Sequence, residues 1–311
     1  MKQNWIDAVK GFVIILVLFG HVEIPHLLHK LIYAFHVPFF FIVSGFLYNL
    51  TKYKQYHFVR FFIKRFKAYI CPFLLISLFF WLCEIIQGIP LTSWQDILMS
   101  NRLYGYYRPL WFLPCFFLSH LLFYPAFKMK STFMGFYFVF CFFIAVLLND
   151  LYRFKPYYFW HIDISFLGVV LMYIGFVIKQ KNLLDKPISI PVIFILLSIS
   201  FLLSYNNKDI NLYKHNITHI DILIIESSLT TFLIMYLFKK YVVSNHFLAT
   251  FNNKFVFCFN FFMNAMIIDL FHISKSNWII FSMLNLICFY VVIKLIKAIY
   301  SFLNQCHCYN H

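Results

Sequence analysis

The chain has 311 residues, of which 62% are hydrophobic and 12% are charged, and its formal net charge is +15. Soluble domains are about 45–50% apolar and about 25% charged, so this composition excludes a water-soluble enzyme, a disordered tail and a collagen-like fibre. The remaining class is a protein whose surroundings are mostly lipid.

Ten apolar runs have about the length that a membrane-crossing α-helix needs. A hydrocarbon core about 30 Å thick requires roughly 20 apolar residues in a helix. The predicted spans are residues 9–28, 31–50, 69–88, 109–127, 133–149, 161–178, 188–204, 220–238, 255–272 and 277–296. The sequence therefore predicts an all-α, polytopic integral membrane protein. We expect a single transmembrane domain over residues 1–311, with a short cytoplasmic tail from about residue 298.

The basic residues are distributed unevenly between the predicted loops. Most of the 26 Lys and Arg residues fall in segments that are cytoplasmic when the N-terminus is inside. This bias predicts that both termini lie in the cytoplasm. It also accounts for much of the positive charge without a nucleic-acid partner.

The first span carries a lysine and a histidine in register. Lys10 and His21 are eleven positions apart, which is three helical turns plus about 20°, so they share one helix face about 16 Å apart. Histidine is the side chain best suited to exchange protons near neutral pH. The spacing alone leaves open a structural histidine, bonded to a neighbouring helix, and a lysine that anchors the helix end.

The segments around these residues resemble the membrane-bound acyltransferase 3 family. Residues 4–11 (NWIDAVKG) and 19–21 (FGH) match an opening of an acidic residue, Arg or Lys, ten residues and a His. Residues 35–45 (FHVPFFFIVSG) match the signature Phe-His-x-Pro-x-Phe-Phe-x-x-Ser-Gly, and the basic run at 60–65 occurs as in the family. Residues 110–113 (LWFL) are similar to its fucose 4-O-acetylase-like branch. Residues 251–264 depart from the family's Gly-Lys-Asn-Ser entry, so we assign no catalytic role there.

The resemblance implies an enzyme that moves an acetyl group from acetyl-CoA to a sugar hydroxyl of a cell-surface or exported polysaccharide. An alcohol is a weak nucleophile until a base accepts its proton, and this role falls to His21, either directly on the sugar hydroxyl or through an acylated intermediate. Lys10 is expected to bind the donor's phosphates, and Asp7, three residues earlier, to hold Lys10 in position. Acetyl-CoA is then a co-substrate, and we expect neither a permanently bound cofactor nor a metal.

Two further sets of residues are expected to bind the substrates. Arg60, Lys64 and Arg65 precede the third span, where they are expected to bind the acyl donor, because guanidinium and ammonium groups recognise phosphates. Contact with anionic lipid is the alternative. Acceptor binding is expected from a histidine beside the first outer turn, a tryptophan and an arginine at an outer interface, and an acid deep in the eighth span: His36, Trp111, Arg108 and Glu226.

Other polar residues have two interpretations each. Ser44 and Gly45 are interpreted as a close helix-packing pair rather than as a nucleophilic site, because small residues let membrane helices approach. Asp269 and His272 form either a carboxylate–imidazole pair with a role in the chemistry or a structural pair. The C-terminal cluster could bind a metal or could be frayed; it consists of Cys306, His307, Cys308 and His311.

Two competing functions remain open at this stage. A transporter or flippase for a lipid-linked glycan would also have ten spans and buried ionisable residues. An enzyme of the same fold could instead use another acyl donor, such as succinyl-CoA. For the acetyltransferase, the expected location is the bacterial cytoplasmic membrane, and the expected partners are acetyl-CoA, a saccharide and the lipid bilayer, without nucleic acid.

Overall fold

The computed structural model describes residues 4–100, 105–152, 159–206, 210–215, 217–242, 245–273 and 277–308. Within these ranges it contains thirteen α-helices and no strand, which confirms the all-α prediction. The helices are α1 Asn4–Gly20, α2 His26–Phe46, α3 Leu50–Lys54, α4 Phe58–Gln87, α5 Trp94–Met99, α6 Phe112–Phe123, α7 Ser131–Tyr152, α8 Ile162–Gln180, α9 Ile190–Asn206, α10 Ile220–Leu237, α11 His246–Phe251, α12 Lys254–Phe271 and α13 Trp278–Cys308. Short 3₁₀ segments cover Gly105–Trp111, Tyr124–Phe127, Phe159–His161 and Leu183–Asp185, and Phe238–Val242 is a π-helical turn.

Each of the ten predicted spans corresponds to a helix. Among the described residues, eight helical stretches are long and apolar enough to cross a membrane. They are His26–Phe46, Phe58–Gln87, Gly105–Phe127, Thr132–Leu151, Phe159–Gln180, Ile220–Val242, Lys254–Phe271 and Trp278–Ile299. The first and seventh predicted spans are the shorter helices α1 and α9, with 17 residues each. The chain is a polytopic all-α membrane protein.

Several helix ends differ from their predicted positions. The first span was expected to reach residue 28, but α1 ends at Gly20, and two tight turns follow, in which His21 N donates to Leu18 O and Val22 N to Phe19 O, both at 3.2 Å. Pro25 then disfavours helical geometry in the residue before it, so the chain breaks although it stays apolar. At the other end, α13 continues to Cys308, past residue 296, where the last span was expected to end.

The chain folds as two compact units. The first unit combines Met1–Pro25 with Phe238–His311, and the second comprises His26–Leu237. In the first unit, α1 packs against α11, the π-helical turn, α12 and α13. A Cβ atom on Gly11 would lie 1.7 Å from the carbonyl oxygen of Leu248. Backbone contact between α1 and α11 therefore requires glycine at this position.

In the second unit, α2 is the central helix and packs against α8, α9 and α10. A Cβ atom on Gly45 would lie 1.8 Å from the carbonyl oxygen of Met172, and one on Gly175 would lie 1.8 Å from that of Ile42. Helices α2 and α8 thus touch along their backbones at two reciprocal glycines, as small residues permit in membrane proteins. The predicted packing role of Gly45 is confirmed.

Candidate active site

The three residues expected to be catalytic all lie in the first unit. Asp7 and Lys10 are half-buried in the first half of α1. His21 is not within the span, as the sequence predicted, but in the turn that follows the last residue of α1, where it is half-buried. Its ring packs against the ring of Phe261 on α12, with the centroids 4.8 Å apart. The histidine is therefore held at the end of α1 by an aromatic contact.

Asp7 is fixed by a residue far away in the sequence. The Asn252 side chain donates from Nδ2 to Asp7 Oδ1 at 2.9 Å. Asp7 in turn attracts the Lys10 ammonium group, one helical turn further along α1. Asn252 belongs to the segment in which the sequence departs from the family pattern, and the sequence analysis gave it no role. The structure makes it the residue that anchors the Asp7–Lys10 pair.

The basic segment lies at the start of α4 in the second unit, and its cations separate into two groups. Arg60 and Lys64 lie one helical turn apart, and both extend over the Tyr56 ring, at 5.0 and 5.7 Å from its centroid. With Lys67 they line a surface groove of about 620 Å³. Two adjacent cations, an aromatic face and an open cavity suit a ligand that carries phosphate.

Arg65 does not join this groove, because one residue of helix turns it by about 100°. Its guanidinium group lies over the rings of Tyr48 and Tyr53, at 5.4 and 5.6 Å from their centroids, and Nη2 donates to the Tyr53 hydroxyl at 3.1 Å. The three residues expected to bind the donor together are thus divided between the groove and an aromatic cluster.

The same aromatic cluster surrounds a fully buried histidine, His120 of α6. The Tyr48 hydroxyl is hydrogen-bonded to His120 Nδ1, and Tyr69 Oη lies 3.1 Å from Nε2. Ser44 Oγ also approaches Nε2, at 3.4 Å. Burial raises the pKa of Tyr48 far above its usual range, so this phenol keeps its proton. The sequence did not reveal His120, because it is a lone histidine in an apolar run and its partners come from α2, the loop after α2, and α4.

Two of the expected acceptor-binding residues, His36 and Arg108, are linked by a tyrosine in the second unit. His36 is buried, and its Nδ1 donates to the carbonyl oxygen of Ile32 at 2.8 Å. The Tyr33 ring meets the His36 ring edge-on, with the centroids 4.8 Å apart, and Arg108 is close enough to interact electrostatically with Tyr33. These residues form one polar and aromatic group on α2 and the segment before α6.

Trp111 does not offer an exposed ring face on which a sugar could stack. It is 6% exposed, and its indole packs against the ring of His161, with the centroids 4.8 Å apart, and that of Tyr213, at 6.1 Å. Such a ring is built into the protein interior rather than anchored at a lipid surface. His161 is one of the two histidines described next.

A buried carboxylate–imidazole pair stands at the start of α8. Asp163 Oδ2 accepts from His215 Nδ1 at 2.6 Å, and both side chains are less than 6% exposed. The His215 ring stacks on His161 at 5.0 Å, and His161 Nε2 donates to the carbonyl oxygen of Ser100 at 2.9 Å. The sequence analysis missed this pair, since 52 positions separate the partners.

Glu226 has a partner that the sequence did not reveal. The acid is fully buried in α10, and the Ser204 hydroxyl of α9 donates to its Oε1. One turn further along the same helix pair, Ser200 and Thr230 share a hydrogen bond of 2.5 Å. Glu226 therefore belongs to a polar seam between two helices.

The remaining polar candidates are peripheral to these groups. Asp269 and His272 are exposed at the end of α12. Within the described part of the chain, no three His, Cys, Asp or Glu side chains are grouped for metal binding. The C-terminal cluster from Cys306 to His311 lies outside the residues whose side chains the structure describes.

Comparison with known proteins agrees with the fold and with the opening motifs. The sequence model of the family Acyl_transf_3, described as an acyltransferase domain, matches residues 3–298. Comparison with curated proteins and with solved structures gives no match. The family match covers nearly the whole chain, including the Asp7, Lys10 and His21 positions. The chain therefore belongs to the acyltransferase 3 family and is a multi-pass membrane acyltransferase.

Proposed function

We propose that the protein transfers an acetyl group from acetyl-CoA to a hydroxyl group of a cell-surface or exported polysaccharide, in the bacterial cytoplasmic membrane. The family supplies the acyl transfer. The choice of acetyl-CoA as donor and of a polysaccharide as acceptor is supported by the resemblance of the opening segments to the family and by the positions of Asp7, Lys10 and His21.

The observation that carries the proposal is the spacing of Lys10 and His21. His21 directly follows Gly20, the last residue of α1, and Gly20 is ten positions after Lys10, which at 1.5 Å per residue is about 15 Å along the helix axis. In coenzyme A, about twelve bonds join the diphosphate to the sulfur, and an extended chain advances about 1.2 Å per bond, which gives about 14 Å. A donor whose diphosphate binds Lys10 would thus bring its thioester to the level of His21.

In this arrangement Asp7, Lys10 and His21 have one task each. Asp7, held by Asn252, keeps the Lys10 ammonium group in position at the donor's diphosphate. His21 accepts the proton of the sugar hydroxyl as its oxygen attacks the thioester carbonyl. A positioned base of this kind typically accelerates a reaction about 10²–10⁴-fold.

The second unit offers candidate binding surfaces for the donor and the acceptor. The groove of Arg60, Lys64 and Tyr56 is a second candidate for the donor's phosphates, with anionic lipid as the competing ligand. The acceptor is assigned to the group around His36 and Arg108, which offers an imidazole, a guanidinium group and an aromatic ring for a hydroxyl-rich ligand. Trp111 and Glu226 are buried against other partners, His161 and Ser204, so they are not assigned to this group.

The test measures alkali-labile acetate on surface glycans of cells that carry the wild type, His21→Ala, His246→Ala or an empty vector. His246 is an exposed histidine of α11 in the same unit and serves as the matched control. At equal membrane levels of protein, we expect acetate with the wild type and His246→Ala and a loss of at least about 100-fold with His21→Ala. Equal acetate with His21→Ala would remove His21 as the base.

The same experiment tests the acyl group and the acceptor class. In a host that makes the acceptor, wild-type acetate no higher than with the empty vector would overturn acetyl transfer to the glycan. The mass of the acid released by alkali separates acetyl from succinyl donors. A transporter would leave no ester on the glycan at all.

A further inference from the structure

Asn260 of α12 is a buried side chain without a partner in the described protein. It is fully buried, and among the described residues neither its Nδ2 nor its Oδ1 has a hydrogen-bond partner. A carboxamide offers two donors and two acceptor sites, and buried polar groups are almost always paired. Inside a membrane span the penalty is larger, because lipid offers no hydrogen bonds. A leucine of similar size would serve packing better.

The position of Asn260 relates it to His21 within the first unit. The next residue, Phe261, is the one whose ring packs against His21 at 4.8 Å. Consecutive Cα atoms are 3.8 Å apart, so Asn260 lies at the level where α12 meets the end of α1. The unpaired amide therefore lies one residue from the α12 position that contacts the proposed base, at the same level along α12.

The other buried amide of α12 behaves differently. Asn264 lies one helical turn further on, and its Oδ1 accepts from Asn285 Nδ2 of α13. This amide pair joins two helices and has an evident structural use. Asn260 is of the same residue type, on the same helix and equally buried, but it has no such protein partner within the described ranges.

We infer that Asn260 is a catalytic residue that binds the carbonyl oxygen of the transferred acyl group through Nδ2. The inference rests on the acyl transfer proposed above. The sugar oxygen attacks the thioester carbon, a C–O bond forms, and the carbonyl oxygen becomes an oxyanion that accepts a hydrogen bond from Asn260. His21 takes the hydroxyl proton. The C–S bond then breaks, and the proton passes from His21 to the departing sulfur.

This role predicts that Asn260 affects rate without affecting folding. A donor aimed at a developing oxyanion acts mainly in the transition state, and its removal lowers kcat by about 10²–10³-fold. Because Asn260 has no partner in the described protein, Asn260→Leu leaves no protein group newly unpaired and should not lower the thermal midpoint. Asn264→Leu removes the partner of Asn285 and should lower the midpoint, while folded protein keeps its rate.

The test uses membranes from a host that makes the acceptor glycan, with acetyl-CoA labelled in the acetyl group as the probe. Initial rates of alkali-labile label incorporation are measured over a range of acetyl-CoA concentrations for the wild type, Asn260→Leu, Asn260→Ala and Asn264→Leu. Thermal midpoints are measured on the same proteins in detergent.

We expect both Asn260 variants to lose at least 100-fold in maximal rate, with the KM for acetyl-CoA within threefold of wild type, and Asn260→Leu to have no lower thermal midpoint than the wild type. Rates within threefold of wild type would overturn the role, as would a rate loss that only follows a fall in folded protein. If the wild type incorporates no label, the proposed function fails, and this inference fails with it. Wild-type activity that both variants retain would overturn the role of Asn260 alone.

Discussion

The backbone contact between α2 and α8 makes Gly45→Ala a sharp test of the fold. The added Cβ would lie 1.8 Å from Met172 O, and ordinary contact begins at 3.4 Å. The helices would have to separate by about 1.6 Å, and overpacking of this kind costs about 1–3 kcal/mol. Replacing a helical glycine by alanine returns about 1 kcal/mol at most. We therefore expect a net destabilisation of up to about 2 kcal/mol.

The assay is thermal unfolding of the purified protein in detergent. Each kcal/mol shifts Tm by about 2–4 °C in proteins of about 150–250 residues and by no more in a longer chain, so Gly45→Ala should lower Tm by up to about 8 °C. Gly135→Ala on α7 is the matched control, because a Cβ there meets no atom within 4 Å. It should keep or raise Tm. If Gly45→Ala unfolded at the same temperature as Gly135→Ala, the close crossing of α2 and α8 would be refuted.

Substitutions at three further positions test the site and its support. Gly11→Ala would place a Cβ 1.7 Å from the backbone of α11. Both the Tm and the rate of acyl transfer should therefore fall. Unchanged values would contradict the close contact of α1 with α11. Asn252→Ala removes the hydrogen bond to Asp7. Because a hydrogen bond to a charged group contributes about 1.5–3 kcal/mol, this variant should raise the KM for acetyl-CoA by about tenfold. An unchanged KM would show that Asp7 has no part in binding the donor. Glu226→Ala leaves the Ser204 hydroxyl unpaired and should destabilise the protein by about 1–3 kcal/mol. Glu226→Gln should destabilise it less. If both variants had the Tm of the wild type, the polar seam between α9 and α10 would be contradicted.

The spans could be predicted from the sequence because lipid imposes a simple rule. Every crossing needs about 20 apolar residues, so apolar runs and helices coincide. The helix ends could not be predicted in the same way. Val22, Ile24 and Leu27 continue the apolar run past Gly20, and apolarity alone does not distinguish a helix from the apolar turn that follows it. The position of His21 in that turn depends on this local geometry.

The site could be predicted only where its residues are close in sequence. Asp7, Lys10 and His21 lie on one helix and the turn that follows it, so the sequence alone indicates how far apart they are. The partner of Asp7 is 245 positions away, and that of His215 is 52 positions away. Asparagine and histidine at such distances carry no local signal, and only packing brings them together. Arg65 likewise lies apart from Arg60 and Lys64 because the fold places different aromatic rings beside it.

The backbone of α2 fixes the tautomer of His36. The Ile32 carbonyl oxygen can only accept a hydrogen bond, so Nδ1 carries the ring proton, and in the neutral imidazole Nε2 holds the lone pair. In the acceptor-binding role proposed for His36, Nε2 can receive a hydrogen bond from a sugar hydroxyl but offers none to a carbonyl oxygen. The reacting hydroxyl gives its one proton to His21, so the hydrogen bond to Nε2 would come from a neighbouring hydroxyl of the same sugar, and His36 would orient the acceptor without taking part in the proton transfer.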